Sequence, residues 1–307
     1  HAGHPVPNKN SLQAANKIIK FLKERKENDF VIFLVSGGGS SLVCLPDGIT
    51  LDEKKTITDL IIKCGASIGE INCVRKHLSK VKGGRMLKHL GCDAVSFVMS
   101  DVIGDDISDI ASGTTYFDKT TFRDAENVLK KYKLLQSMPS NVLKRIRLGV
   151  GKKISETPKQ EKIQNQIIAT NKNCLDAMKE KSKSFGMNTK IVYPISGDVK
   201  QIAKTLTKTI MKAKTPSCII FGGETTVKVK GKGKGGRNQE LVLYMLDKTQ
   251  KVKQNITMSS IGTDGKDGNT DACGAMLNNK IRFGNAKKFL QNNNSYYFLK
   301  KHKGLIF

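Results

Sequence analysis

Apolar residues recur at helical spacing from Ser11 to about Glu27, at Ala14, Ile18, Ile19 and Leu22, so the chain is expected to open on an amphipathic helix. Asp29 and Phe30 lead into a short apolar run, Val31 to Val35. Its length and β-branching favour a buried strand over a fragment of helix. The run stops at Ser36-Gly37-Gly38-Gly39-Ser40-Ser41. Helical stretches at about 51–64 and 70–81 precede a second buried-strand candidate, Ala94 to Met99, and more helix is expected to about Val150. Residues 151–163 are Lys-rich, polar and contain Pro158, which reads as a connector. The pattern then restarts: strand 166–170, helix 172–184, strand 190–194, helix 198–212, strand 217–221. Strands alternating with helices imply parallel sheets covered on both faces. From Thr226 to Lys230 apolar Val227 and Val229 alternate with Lys228 and Lys230, as in a half-exposed strand near a sheet edge. A further strand is expected near 256–261, and no internal repeat is present.

The chain has 307 residues, with 38% apolar and 26% charged, enough for one large or two ordinary globular domains. No apolar run approaches the roughly 20 residues that cross a bilayer. The net charge of +26 invites a nucleic-acid reading. Only eight of the 53 cations are Arg, however, and the 45 Lys are scattered rather than gathered in a block. A nucleic-acid face requires clustered charge, so a solvated basic surface is expected and nucleic acid is not. Seven Cys without a Cys-x-x-Cys pair argue against a disulfide framework and a zinc knuckle. A reducing, intracellular compartment is the default, with a mitochondrial address left open because the chain begins at His1.

Four segments carry candidate chemistry. The Gly37–Gly39 loop at a strand end lets backbone approach an anionic ligand closely, and ligands of open α/β sheets lie beyond strand carboxyl ends. It is neither a dinucleotide fingerprint nor a Walker A loop. Asp101, Asp105 and Asp106 follow the next strand, where carboxylates hold Mg²⁺ beside phosphates or, equally, start turns. Gly222-Gly223-Glu224-Thr225-Thr226 precedes Gly231-Lys232-Gly233-Lys234-Gly235-Gly236-Arg237-Asn238-Gln239-Glu240. There a flexible Gly/Lys loop would deliver cations, and Arg237 stands at a helix start whose free N–H groups favour anions. Gly262 to Asp271 resembles a calcium loop only superficially, because Lys266 and Ala275 stand where ligands belong; Asp264 and Asp267 remain candidates for metal or hydroxyl binding. The five His lack ligand spacing, and no Gly-x-Ser-x-Gly elbow occurs. Phosphoryl transfer, which needs positioning and charge neutralisation, therefore leads over hydrolase and zinc chemistry.

His4-Pro5-Val6-Pro7, Val35–Ser40, Arg75–Gly84, Asp101–Asp105, Ile110-Ala111-Ser112-Gly113, Gly222–Thr226, Gly235–Glu240 and Gly262–Gly268 occur in that order. Together they resemble the glycerate 2-kinase family, with its amino-terminal kinase (DUF4147) and carboxyl-terminal MOFRL regions, over essentially all 307 residues. Ser196-Gly197-Asp198-Val199-Lys200 is similar to the animal-type branch. The resemblance implies transfer of the ATP γ-phosphate to the 2-hydroxyl of D-glycerate with Mg²⁺. It also implies an α/β fold of two dissimilar three-layer α/β/α domains, one Rossmann-like with a mostly parallel sheet and one with a mixed sheet, with the site between them. Expected boundaries are 1–155 and 160–307.

Under this resemblance Arg75, Lys82, Arg237 and Asp264 are the candidate catalytic residues. Ser36, Gly37, Gly38, Gly39, Ser40, Gly235, Gly236 and Asn238 would bind phosphate or substrate. Asp101, Asp105, Glu224 and Asp267 would bind metal. Thr114 stands where family members usually carry Pro, which removes a φ restraint. Family chains also begin upstream of His1 and continue beyond Leu305, so the sequence is expected to be truncated at both ends. The alternatives are a hydroxypyruvate reductase of three-carbon acid metabolism, for which no nicotinamide fingerprint is present, and an inactive basic binding fragment.

Overall fold

A computed structural model describes residues 1–307 and divides into two compact units, His1–Thr170 and Asn171–Phe307. In the first, α1 (Lys9–Lys23) is followed by β1 (Phe30–Val35), the short α2 (Gly39–Leu42), α3 (Leu51–Lys63) and α4 (Ile68–His77). Then come β2 (Asp93–Met99), α5 (Phe122–Lys131), α6 (Ser140–Val150) and β3 (Gln164–Ala169). The strands form a parallel sheet in the order β1-β2-β3, with Phe30 opposite Asp93 and Val35 opposite Val98. Helix starts at α3, α4 and α5 are set by capping boxes: Thr50 with Glu53, Ser67 with Glu70, Thr121 with Asp124. Helix α4 stops at His77, four residues short of the expected end. The chain turns there so that Lys80 N–H can donate to Leu45 O.

Helices α3 to α6 share one core, built around Ile57, Ile61, Val74, Phe122, Leu129 and Ile146. A second core places Ala15 and Leu22 of α1 with Val31 of β1 and Leu87. Thus one face of the sheet is covered. On the other, Phe30, Ile32 and Leu34 are 62%, 57% and 79% exposed, and Met99 and Ile168 are also open. The expectation of cover on both faces fails for this unit, although the uncovered side chains are those of a buried strand. The expected boundary at 155–160 also falls too early, because β3 pairs with β2 and belongs to the first sheet.

The second unit comprises α7 (Asn171–Ser184), β4 (Asn188–Asp198), α8 (Val199–Met211), β5 (Ser217–Thr226) and α9 (Arg237–Thr249). It continues with β6 (Thr257–Ile261), β7 (Gly274–Asn278), α10 (Ala286–Gln291), α11 (Ser295–Lys301) and β8 (Leu305–Ile306). Strands β4 and β5 are parallel, whereas β6, β7 and β8 form a separate antiparallel sheet. The fold is thus mixed α/β, with parallel sheets and a distinct antiparallel one. Its core joins Val199, Ala203 and Leu206 of α8 to Leu241, Val242 and Met245 of α9 and to Met258, Ala275 and Phe298. The alternating segment 226–230 is not a strand beyond Thr226: Val229 is exposed and Lys230 N–H donates to the Asn293 side chain.

Candidate active site

Because β1 and β2 run parallel in register, the loops beginning at Ser36 and Ser100 leave the sheet at the same end. The three glycines between them serve two needs. Gly37 lies against the Asp101 carboxylate, which a Cβ would strike, and a Cβ on Gly39 would stand 2.7 Å from that of Ala111. Gly38 has φ of 75°, the left-handed conformation that favours glycine. The loop is then held from behind. Lys82, 2% exposed, donates from Nζ to Gly39 O (2.7 Å) and Thr114 Oγ1 (3.2 Å). Ser40 Oγ and Ser112 Oγ are 2.7 Å apart. Gly83 N–H donates to Ser112 O at 3.1 Å and Gly84 N–H to Gly113 O at 2.8 Å. Segments 36–41, 82–84 and 110–114 are therefore one assembly.

Positive charge gathers beneath it. Burial pushes the Lys82 ammonium well below its usual value, and the charges of Arg75 and Lys54 push it further. Burial also depresses Arg75. Lys54 falls to about 8, chiefly through desolvation, while donating to Arg75 O and Leu78 O. Cations buried among neutral oxygens carry a desolvation cost, and an arriving anion lowers it. Lys54 was not among the residues singled out, but its spacing offers a signal: with Ile57 and Ile61 it lies on the buried stripe of α3. Asp101 is at the loop itself. Asp105 sits in a turn with φ of 55°, its N–H donating to Val102 O.

In the second unit Glu224, Arg237, Asn238, Asp264 and Asp267 collect around the first turn of α9. Arg237 Nη1 pairs with Glu224 Oε1. Buried Asp267 accepts from Asn238 N (3.1 Å), Asn238 Nδ2 (3.1 Å) and Gln239 N (2.9 Å). Desolvation nevertheless raises its carboxyl above the usual range. Two expectations are corrected here. The N–H groups thought free for an anion are taken by Asp267, and both oxygens of that supposed metal ligand are spent on capping. Asp267→Ala is expected to cost about 2 kcal/mol of stability, the scale of a lost cap with orphaned donors, without moving the Mg²⁺ dependence of turnover. Denaturant unfolding and a Mg²⁺ titration check both parts. Asp264 is exposed and accepts from Lys266 N at 3.3 Å; Gly262 lies close to both it and the Asn238 amide.

The Gly/Lys loop is pinned, contrary to expectation. Asn293 Oδ1 accepts from Lys230 N (2.7 Å) and Gly231 N (3.0 Å), and Asn294 Oδ1 from Lys234 N (2.9 Å). Asn269 Oδ1 takes Gly235 N at 3.0 Å. Side chains at Gly231 or Gly233 would strike the backbone of Asn292, and one at Gly236 would strike Asp267. These glycines permit close packing. The asparagines escaped notice because they lie up to 63 positions away.

Residues 1–147 match the domain of unknown function DUF4147, and residues 217–307 match the MOFRL family. The chain is 38% identical to glycerate 2-kinase of Pyrococcus horikoshii, over all of this chain and 73% of that protein. It is 39% identical to D-glycerate 2-kinase of Thermotoga maritima, over 99% of this chain and 75% of that one. The crystal structure of Thermotoga maritima glycerate kinase superposes with a TM-score of 0.82 at 37% identity, covering 99% of this chain and 75% of that chain. With the glycine loop and the buried cations in place, these similarities over nearly its whole length make the chain a member of the glycerate 2-kinase family.

Proposed function

We propose that this chain transfers the γ-phosphoryl group of ATP to the 2-hydroxyl of D-glycerate, giving 2-phosphoglycerate. The observation that carries this reading is the cluster of buried Lys82 and Lys54 with half-buried Arg75 at the glycine loop, each held below its ordinary value chiefly by desolvation. Such a cluster suits anionic reactants, and phosphoryl transfer depends on neutralising charge more than on a protein nucleophile. Arg75 and Lys82 would hold the carboxylate or transferring phosphate, and the Gly37–Ser40 loop would shape the pocket; Arg237, Asn238 and Asp264 are proposed as reactant-binding residues of the second unit.

No group of three or more His, Cys, Asp or Glu side chains forms a metal cage. That suits Mg²⁺, which keeps its waters and shares substrate phosphates with one or two carboxylates. Asp101, at the glycine loop, and Asp105 would supply these; Glu224 is engaged by Arg237. When bound, Mg²⁺ neutralises phosphate charge. All seven cysteines are unpaired, in keeping with a cytoplasmic setting, and no helix is long and apolar enough to cross a membrane.

Coupled detection of ADP with D-glycerate on the full-length chain tests the activity; ADP no faster than the glycerate-free control would refute it. NADH oxidation with hydroxypyruvate is expected to be absent. The cation cluster adds a pH dependence. Lys54 is lowered from 10.5 to about 8, so between those values the unfolded chain binds more protons and stability rises with pH. The rise is at most about 1.4 kcal/mol per pH unit for one group. It should diminish in Lys54→Met, and pyrophosphate, favouring the charged lysine, should bind less tightly above pH 8. Thermal melts of both proteins from pH 7 to 10, with and without pyrophosphate, give the comparison.

A further inference from the structure

Behind the glycine loop runs a chain of hydrogen bonds whose polarity is fixed by its last member. Asn72, on α4 and 1% exposed, donates from Nδ2 to Asp109 Oδ1 at 2.9 Å. A carboxylate only accepts, so the Asn72 amide is oriented with its oxygen away from Asp109. That oxygen accepts from Ser112 Oγ at 2.9 Å. Ser112, equally buried, has one hydroxyl hydrogen and has now used it. The 2.7 Å contact between Ser112 Oγ and Ser40 Oγ therefore requires Ser40 to be the donor. The backbone is shaped to hold the relay, since Ala111 and Ser112 adopt φ of 50° and 57° ahead of Gly113 at 61°. Non-glycine residues rarely take this conformation, and it persists where neighbouring structure enforces it. Here Gly83 and Gly84 enforce it through their bonds to Ser112 O and Gly113 O.

We infer that Ser40 meets the substrate as a hydrogen-bond acceptor, its hydrogen drawn inward by Ser112 and Asn72, and so pairs with a hydroxyl of the hydroxy acid and not with a phosphate of ATP. Phosphate oxygens offer no hydrogen at a neighbouring lone pair, whereas the hydroxyls of a small hydroxy acid do. Ser40 is then a specificity residue on the acid side of the site, and Ser112 and Asn72 are positioning residues that act through it. This inference rests on the kinase reading above and refines the role of Ser40 within it.

The test uses the full-length enzyme with D-glycerate and ATP varied separately. Ser40→Ala removes the acceptor. Ser112→Gly removes the relay while tolerating the left-handed backbone, and so frees the Ser40 hydrogen to point outward. Both are expected to raise KM for D-glycerate about tenfold, the scale of the net contribution of one hydrogen bond, with KM for ATP within about twofold of wild type. A rise in KM for ATP in Ser40→Ala would make Ser40 a phosphate donor and overturn the proposal. No change in either KM would do the same. An effect of Ser40→Ala without one from Ser112→Gly would overturn the relay. If Ser112→Gly melts before assay, Asn72→Ser, which shortens the relay, replaces it under the same criteria. A wild-type enzyme without D-glycerate-dependent ADP release would instead dispose of the kinase reading, so the two failures are distinguishable.

Discussion

Replacing Lys82 by Met in the full-length chain is expected to lower kcat/KM for D-glycerate about 10²–10³-fold, the range seen when one preorganised donor to a developing charge is removed. Lys82 is buried, binds the loop through Gly39 O and Thr114 Oγ1, and feels the charges of Arg75 and Lys54. Met keeps most of the apolar stem and removes the charge. Burying that charge is itself unfavourable, so its loss offsets the orphaned Gly39 carbonyl and the fold should survive. A thermal melt within a few degrees of wild type, with turnover collapsed, is the expected pair of results. Turnover within threefold of wild type would remove Lys82 from the site. Lys82→Arg should rescue poorly, since a planar guanidinium cannot occupy the slot of a compact ammonium.

Asp118→Ala is expected to have the largest effect on stability, about 3–5 kcal/mol, because it strands a buried cation. Asp118 is fully buried. It pairs with Lys76 Nζ at 3.4 Å and accepts from Thr120 N, Thr120 Oγ1 and Thr157 Oγ1 at 3.1, 2.8 and 3.1 Å. The neighbouring His77 bonds Cys73 O and Glu156, and burial lowers its pKa. This network clasps the connector 151–163 to α4, the helix that carries Asn72 and Arg75. Asp118→Asn keeps an acceptor for the threonines but leaves Lys76 without its charge partner, so it should lose most of the same amount. Urea unfolding measures both, and a loss below about 1 kcal/mol would mean that water or another acceptor replaces the carboxylate.

Two glycine-rich segments show how far local sequence can be read. Ser36–Ser41 and Gly231–Gly236 look alike on paper, and each was expected to face a ligand. The first does lie at a strand end over buried cations. In the second, Gly231 and Gly233 let the chain pack against Asn292–Asn294. Asp267 teaches the same lesson: an Asp in a Gly-rich turn is compatible with metal binding and with capping, and only the position of α9 decides between them.

By itself the sequence determined where most of the helices and strands lie, though not where they end, and the ordered motifs that mark the family. Those signals are local, since hydrophobic period, caps and turn chemistry act over a few residues. The tertiary structure alone decided that β3 joins the first sheet, that Lys54 lies with Arg75 and Lys82, and that Ser40, Ser112 and Asn72 form one relay. These depend on contacts between residues tens of positions apart, such as the 72 separating Ser40 from Ser112. The direction of a hydroxyl hydrogen or the cost of a buried charge is set by the partners that folding brings within about 3 Å, and no local pattern records them.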